Sequence, residues 1–93
     1  MNTAATILTA ARAEALFTSG LATGSQPDYA LVEQVIRVAV RTRGGVRGCA
    51  ADVAREYGDY PELAAPRMRW ARHVVTDLYG PRHAARRGLT LVA

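Results

Sequence analysis

Lysine is absent from this sequence: all twelve side chains with a permanent positive charge are arginines. The simplest explanation is codon usage in a GC-rich genome, which raises alanine and arginine together. Selection for two-point contacts with phosphate also favours arginine, because the planar guanidinium matches phosphate geometry, but such selection rarely removes every lysine. Genome composition therefore explains most of this bias.

Cysteine and aromatic residues are scarce as well. The single cysteine, Cys49, excludes an internal disulfide and a cysteine-cluster metal site. We interpret it as a packing residue, because a lone cysteine at a helix edge usually behaves as a small apolar side chain. Aromatic residues make up only 6% of the chain, so alanine, valine and leucine must supply most of the core.

Long apolar runs and targeting patterns are also missing. No stretch approaches the roughly 18 apolar residues that a membrane-spanning helix needs. The N-terminal segment lacks the basic flank of a signal peptide, and threonine, arginine and glutamate interrupt its apolar residues. The sequence therefore predicts a cytoplasmic protein with no membrane contact.

The residue patterns of catalytic and cofactor sites do not occur either. Cys49 has no obvious histidine base, and His73 and His83 lie in a basic helix and tail rather than in a cluster of metal ligands. The segment RGGVRG at residues 43–48 is not a strand-to-helix phosphate loop. We expect no enzymatic activity, no cofactor, no metal and no small-molecule substrate.

The chain does contain an excess of positive charge. Its 93 residues have a net charge of +4, and 49% of them are hydrophobic. The isoelectric point is about 10.0. This length allows one domain with a modest core. The charge predicts a polyanion such as DNA, or an acidic protein surface, as the partner.

Helical periodicity predicts an all-α fold. We expect a small bundle of four helices in a single domain at residues 1–80, followed by a basic and mostly mobile tail at 81–93. The second helix has apolar residues over more than half of its circumference, so we expect it to be the central helix of the core. The predicted helices span residues 3–19, about 27–43 and about 46–57, and the fourth ends at about residue 79 with its start left open between about 60 and 66.

Polar residues and prolines set the expected helix ends. Asp28 lies three residues after Ser25, which is the spacing of a capping box for the second helix. Asp59 and Glu62 have the same spacing before the fourth helix. Pro66 leaves two alternatives: a short turn before a helix that begins near Pro66, or one longer helix with a kink there.

Projection at 100° per residue predicts the buried faces of the first and last helices. Arg67 falls on the apolar side of the last helix, and we expect it to pair with a carboxylate rather than to bind a ligand. Its expected partners are Asp59, Glu62 and Asp52. The expected inward face of the first helix consists of Ala4, Ile7, Leu8, Ala11 and Ala15. That of the last helix consists of Ala64, Met68, Ala71, Val74, Val75, Leu78 and Tyr79.

Arginines and one histidine are the candidate binding residues. The arginines beside Gly44 and Gly45 have two interpretations. Either they stay in water and stabilise the C-terminal end of the second helix through its dipole, or they belong to a flexible loop that contacts phosphates. Others share the outer face of the last helix, and the tail adds three more arginines. The predicted nucleic-acid-binding residues are Arg43, Arg47, Arg69, Arg72, His73, Arg82, Arg86 and Arg87.

Two short segments resemble a known DNA-binding motif. Residues 52–58 (DVAREYG) are similar to the first helix and turn glycine of the helix-turn-helix motif in bacterial repressors. Residues 67–72 (RMRWAR) are similar to the end of the second helix in sigma-factor promoter-reading domains. The resemblance to bacterial helix-turn-helix domains lies within residues 49–79. It implies a three-helix core of helices two to four, with the last helix placed against DNA.

The sequence departs from that motif in the part that reads bases. Residues 61–66 (PELAAP) offer only Glu62 as a polar side chain there, and Pro66 interrupts the recognition helix. The basic residues lie further along the helix, where they are better placed for phosphates than for bases. These residues therefore favour a transcription-regulatory or other nucleic-acid-binding module with low sequence specificity.

A helical protein–protein interaction module is the alternative function. Trp70 at a face border, the wide apolar face of the second helix and the apolar end at residues 89–92 are typical of a contact surface. The partner would be a second copy or another protein. A steep loss of affinity with salt would favour nucleic acid, because phosphate binding releases counterions.

Overall fold

A computed structural model of the chain describes residues 3–81. Within that range the fold is all-α, as predicted, and contains four helices and no strand. None of these helices combines the length and the apolar character that a membrane crossing needs. The predicted basic tail lies, apart from its first residue, outside the described residues. The helices are α1 (Thr3–Thr18), α2 (Tyr29–Thr42), α3 (Val46–Asp59) and α4 (Pro61–Tyr79).

The central helix is α1, so the prediction that the second helix is central was wrong. Helix α1 packs closely against all three other helices, whereas the backbones of α2 and α4 approach each other at few positions. In α2 only Val32 and Ala39 are buried, and Leu31 and Val38 are exposed. A wide apolar face shows how much of a helix could be covered, but the neighbours that actually reach it decide what is buried. The three-helix core implied by the motif therefore does not form without α1.

The buried side chains form two adjacent clusters. The smaller cluster joins Ala15, Ala39 and Cys49 from three different helices. Cys49 is fully buried and its Sγ lies 3.8 Å from the Ala39 carbonyl oxygen, which confirms that it is a packing residue. The larger cluster consists of Ala13, Leu16, Phe17, Val32, Val53, Ala64, Met68, Ala71, Val74 and Val75.

Helix α4 lies antiparallel to α1, and its inward face is largely the predicted one. Near the beginning of α4, Arg67 contacts the Phe17 carbonyl at the end of α1. Further along, Arg72 and Thr76 line a groove together with Thr9 and Thr6. Five of the seven predicted inward residues of α4 are buried, and Leu78 and Tyr79 are half-buried. The predicted outer residues Arg69, Arg72, His73 and Thr76 are exposed.

The predicted inward face of α1 is correct only at its C-terminal end. Ala15 is buried, but Ile7 and Leu8 are 64% and 48% exposed. The first buried residue along α1 is Ala13. The small cluster around Ala15 shows that α2 and α3 cover this face near the end of α1. The earlier residues of the same face extend beyond that cover.

The helix ends differ from the predicted capping boxes. Asp28, not Ser25, is the N-cap of α2, and its carboxylate accepts the Leu31 N–H at 2.9 Å. Asp59 belongs to α3, and α4 begins without a side-chain cap. A single residue, Tyr60, connects these two helices. The helix-turn-helix motif has a turn of three to four residues, so this junction departs from its geometry.

Pro66 lies inside one continuous helix. Of the two alternatives, the structure has the longer helix, which runs from Pro61 to Tyr79 without a preceding turn. Pro61 stands in the first turn, where its missing N–H costs nothing. Pro66 removes the backbone hydrogen bond that would reach back to Glu62. Burial of Ala64 and Met68 on either side of Pro66 stabilises the helix across this position.

Candidate nucleic-acid interface

Three arginines of the described chain are paired with carboxylates. Arg43 lies 3.1 Å from Asp52, and Arg55 lies 2.9 Å from the same carboxylate group. Arg37 lies 3.8 Å from Glu33, one turn earlier on α2. Because each of these charges already has an opposite charge beside it, the three arginines are poor candidates for binding phosphate.

Arg43 is a structural contact as well as a charge. One guanidinium nitrogen faces Asp52, and the other donates a hydrogen bond to the Thr18 carbonyl at 3.1 Å. The side chain thus links the C-terminal end of α1 to α3. Its predicted role in binding nucleic acid stays a prediction, and we leave Arg43 out of the candidate interface. Arg47 is exposed and has no ion pair within residues 3–81.

Arg67 does not pair with a carboxylate, so that prediction was wrong. Its guanidinium donates to the Phe17 carbonyl at 2.7 Å, the Ser19 carbonyl at 2.8 Å and the Thr23 hydroxyl at 2.8 Å. The guanidinium carbon lies 5.0 Å from the centre of the Trp70 ring. The last carbonyls of a helix have no partner within it, and α1 presents such acceptors directly to Arg67. Burial lowers the pKa of Arg67, and the nearby Glu56 charge acts in the opposite direction.

Trp70 is likewise engaged within the molecule. Its indole N–H donates to the Ser25 carbonyl at 2.8 Å, and the Arg67 guanidinium packs over its ring. These contacts join the loop before α2 to α4. The half-buried indole therefore has a structural role in the fold.

Arg69 and Arg72 are neighbouring exposed arginines without an ion pair in the described residues. The other exposed arginines there without one are Arg41 and Arg47. Arg69 and Arg72 lie on the outer face of α4, together with His73 and Thr76. Within the described part of the chain, no carboxylate lies within 4.0 Å of either guanidinium. Side chains three residues apart on a helix are neighbours, with Cβ atoms about 5–6 Å apart. The two charges therefore act side by side.

A shallow groove of about 380 Å³ extends this surface between α1 and α4. Arg72 is the only charged lining residue among residues 3–81, and Thr6, Thr9 and Thr76 add hydroxyl groups. Ala5 and Ala10 also line the groove. Arginine and threonine side chains are common donors to phosphate oxygens. The threonines of α1 were not predicted as site residues, because their proximity to Arg72 depends on the packing of the two helices.

The net charge of the protein is distributed unevenly along the chain. All eight acidic residues lie within residues 3–81, where most of the arginines lie too. Arg82, Arg86 and Arg87 follow this range and have no acidic neighbours in sequence. These three predicted contacts lie outside the described residues. Within residues 3–81 the positive and negative charges nearly balance, so anion binding by this part depends on where its arginines lie close together and not on its net charge.

A cluster around Tyr79 holds three helices together. The Tyr79 hydroxyl donates a hydrogen bond to the Glu33 carboxylate, and the Arg12 guanidinium lies 3.9 Å from the centre of the Tyr79 ring. The centre of the Tyr29 ring lies 5.1 Å from the centre of the Tyr79 ring. Burial and the bond to Glu33 raise the pKa of Tyr79 above its ordinary value, and Arg12 partly opposes them. Arg12 and Glu33 are thus structural residues.

This raised pKa predicts a loss of stability in alkaline solution. The folded protein keeps Tyr79 protonated at a pH where the unfolded chain would ionise it, so stability is lost as pH rises above about 10. The variant Tyr79→Phe should lose less of its unfolding free energy than the wild type between about pH 8 and about pH 11. Urea unfolding at both pH values measures this difference, and equal losses in the two proteins would contradict the prediction.

A serine, a histidine and an aspartate lie near one another at one cavity of the described residues. Ser25, His73 and Asp77 line this cavity of about 340 Å³, but no hydrogen bond connects them. The Ser25 hydroxyl is buried and has no partner. A nucleophile needs its base within hydrogen-bond reach, and this arrangement lacks that geometry. In residues 3–81, no group of three histidine, cysteine or acidic residues could hold a metal ion.

The candidate interface thus consists of Arg69, Arg72, His73 and Thr76 on α4 and the threonines of α1 beside them. It unites three of the eight predicted binding residues on one helix face. Comparison with other proteins adds nothing to this assignment. No protein family matches the chain, and neither a curated protein nor a solved structure is significantly similar to it.

Proposed function

We propose that this protein binds nucleic acid through the phosphate backbone, with low sequence specificity, using the outer face of α4. The observation that carries the proposal is the contrast between arginines. Arg69 and Arg72 are exposed without a carboxylate partner in residues 3–81, whereas Arg43 and Arg55 share Asp52 and Arg67 is hydrogen-bonded to α1. Such unpaired, adjacent guanidiniums attract phosphates and release counterions on binding.

The spacing of the two arginines suits a nucleic-acid backbone. Their side chains begin about 5–6 Å apart, while each strand of duplex DNA carries one phosphate per about 3.4 Å of helix axis. Arg69 and Arg72 can therefore contact separate phosphates of one strand. The threonine hydroxyls of the α1/α4 groove supply further donors beside Arg72.

Low sequence specificity follows from the beginning of α4. Recognition helices usually read base edges with polar side chains near their N-terminus. The first turns of α4 carry Pro61, Glu62, Leu63 and Pro66, and Leu63 is 68% exposed. This segment offers no donor side chain to bases, so contacts to phosphates dominate.

Salt dependence tests the proposal directly. The affinity of the full chain for a duplex of mixed sequence should fall steeply with salt, and Arg69→Ala/Arg72→Ala should reduce the slope of log K against log[salt] by about 1.8, or 0.9 for each lost phosphate contact. Fluorescence anisotropy at several salt concentrations measures both slopes. The loss should be similar for duplexes of unrelated sequence.

The matched control is the double variant Arg37→Ala/Arg55→Ala. It removes the same formal charge from exposed arginines that are already paired with carboxylates. Its slope should stay close to that of the wild type. A flat salt dependence of the wild type, or equal losses in the two double variants, would contradict the proposed interface.

A second candidate function is docking on another protein through α2. Leu31 and Val38 are exposed and line a groove of about 280 Å³ with Val35, beside the C-terminal end of α1. Exposed apolar side chains that line a groove are typical of contact surfaces. The salt titration separates the two functions, because a flat profile would favour this one.

A further inference from the structure

An exposed apolar stripe runs along the N-terminal half of α1. By helical projection, Ala4, Ile7, Leu8 and Ala11 share one side, which is opposite to the residues that line the α1/α4 groove. Ile7 and Leu8 are 64% and 48% exposed, and neither belongs to a core cluster. Two large aliphatic side chains next to each other are thus in contact with solvent.

The stripe continues a face that is buried elsewhere in the molecule. Ala15 lies on the same side of α1, and Ala39 and Cys49 cover it completely. From Ala11 towards the N-terminus this cover ends, while the apolar pattern continues. A helix whose apolar side extends beyond the cover of its own fold is suited to an intermolecular contact.

We propose that this stripe is the contact surface between two copies of the chain, with their α1 helices antiparallel. The stripe has small residues at both ends and large ones in the middle, so the order of side-chain sizes is the same from either end of the helix. A twofold axis between residues 7 and 8 places Ala4 opposite Ala11 of the second copy and Ile7 opposite Leu8. Such a self-complementary patch is what an isologous dimer requires.

Charge also favours a second copy over a charged partner. Residues 3–11 contain no charged side chain. The nearest arginine, Arg12, is held over the Tyr79 ring. An acidic or basic partner would lose hydration without gaining an ion pair, whereas an identical neutral stripe buries apolar surface on both sides.

The dimer leaves the candidate nucleic-acid interface accessible. The stripe and the groove beside Arg72 lie on opposite sides of α1, and Arg69 lies on α4. This inference therefore does not depend on the proposed function. If both hold, a dimer presents two basic faces, and binding one duplex through both raises the overall affinity.

The expected association is weak. A standard protein interface buries about 800 Å² on each partner, and the stripe, which spans about two turns of a helix, provides less than that. We expect a dissociation constant between about 1 µM and about 1 mM. Sedimentation equilibrium of the full chain should show the average mass rising towards twice that of one chain over this concentration range.

Two charged substitutions test the surface. Ile7→Glu should keep the protein monomeric throughout the range, because each introduced carboxylate would be buried against Leu8 of the second copy without a charged partner. Leu63→Glu is the matched control, since Leu63 is an exposed leucine at the beginning of α4 and should leave the dimer intact. Circular dichroism verifies that both variants keep their helices. A wild type that stays monomeric at about 1 mM, or an Ile7→Glu variant that still dimerises, would overturn the proposal.

Cysteine cross-linking tests the antiparallel register. The native Cys49 is buried, so introduced thiols react selectively. A mixture of the variants Ala4→Cys and Ala11→Cys should form a mixed disulfide dimer under mild oxidation, while each variant alone should form little. Preferential self-linking of each variant would indicate parallel helices and overturn the register.

Discussion

Replacing Gly48 with alanine should destabilise the protein by about 3 kcal/mol. A Cβ added at Gly48 would lie 1.6 Å from the Arg43 carbonyl oxygen and 2.6 Å from its carbonyl carbon. Both are backbone atoms, so a rotamer change cannot relieve the overlap. The connection between α2 and α3 would have to move, and Arg43 would then lose its contacts with Asp52 and Thr18.

Gly58 provides a control within the same helix. A Cβ added there would meet no atom within 4 Å, and its backbone does not need the left-handed region. Gly58→Ala should stabilise the protein by up to about 1 kcal/mol, because alanine loses less backbone entropy in a helix. Urea unfolding of the two variants measures the contrast. A Gly48→Ala variant as stable as the wild type would mean that the two helices do not approach this closely.

Replacing Arg67 with alanine should destabilise the protein by about 3 kcal/mol. The change removes three hydrogen bonds from a charged donor and leaves the Phe17 and Ser19 carbonyls without that donor. It also removes the guanidinium that packs on Trp70. The three lost hydrogen bonds all join α4 to either the C-terminal end of α1 or the loop that follows it.

Two further variants separate geometry from charge at Arg67. Arg67→Lys keeps the charge but replaces a planar group of five donors by one ammonium, so it should recover only part of the lost stability. Arg69→Ala removes an exposed arginine two residues away and should change the unfolding free energy by less than about 0.5 kcal/mol. Equal stabilities of Arg67→Ala and Arg69→Ala in urea unfolding would contradict the assignment.

These two arginines illustrate what local pattern can predict. The 100° periodicity of α4 correctly placed Arg69 outside and Arg67 inside, because that periodicity depends only on the backbone of the helix. It could not identify the partners of Arg67. They are carbonyl groups of residues 48 and 50 positions away in the chain, and every carbonyl looks the same in a sequence. The sequence therefore led to the prediction of carboxylate partners, because acidic residues can be identified in a sequence.

The close approach between the backbones of Gly48 and Arg43 could not be predicted from the sequence either. The sequence predicted that Gly48 lies inside the third helix, and a flexible loop was one of two interpretations of the arginines beside Gly44 and Gly45. Gly44 and Gly45 do adopt positive φ angles of 84° and 94°, which glycine tolerates. Gly48 is required for a different reason, the contact of its backbone with Arg43, and that distance depends on how α2 and α3 are placed.

Local residue patterns were enough to predict the helical class, the approximate extents of the four helices and the two sides of α4. These properties follow from residue spacing along a single helix, which is a local quantity. The tertiary structure alone decided that α1 is the central helix and which arginines are neutralised. It also left Ile7 and Leu8 exposed. Each of these outcomes depends on which neighbours reach a given face, and helix packing brings together residues that are far apart in the chain.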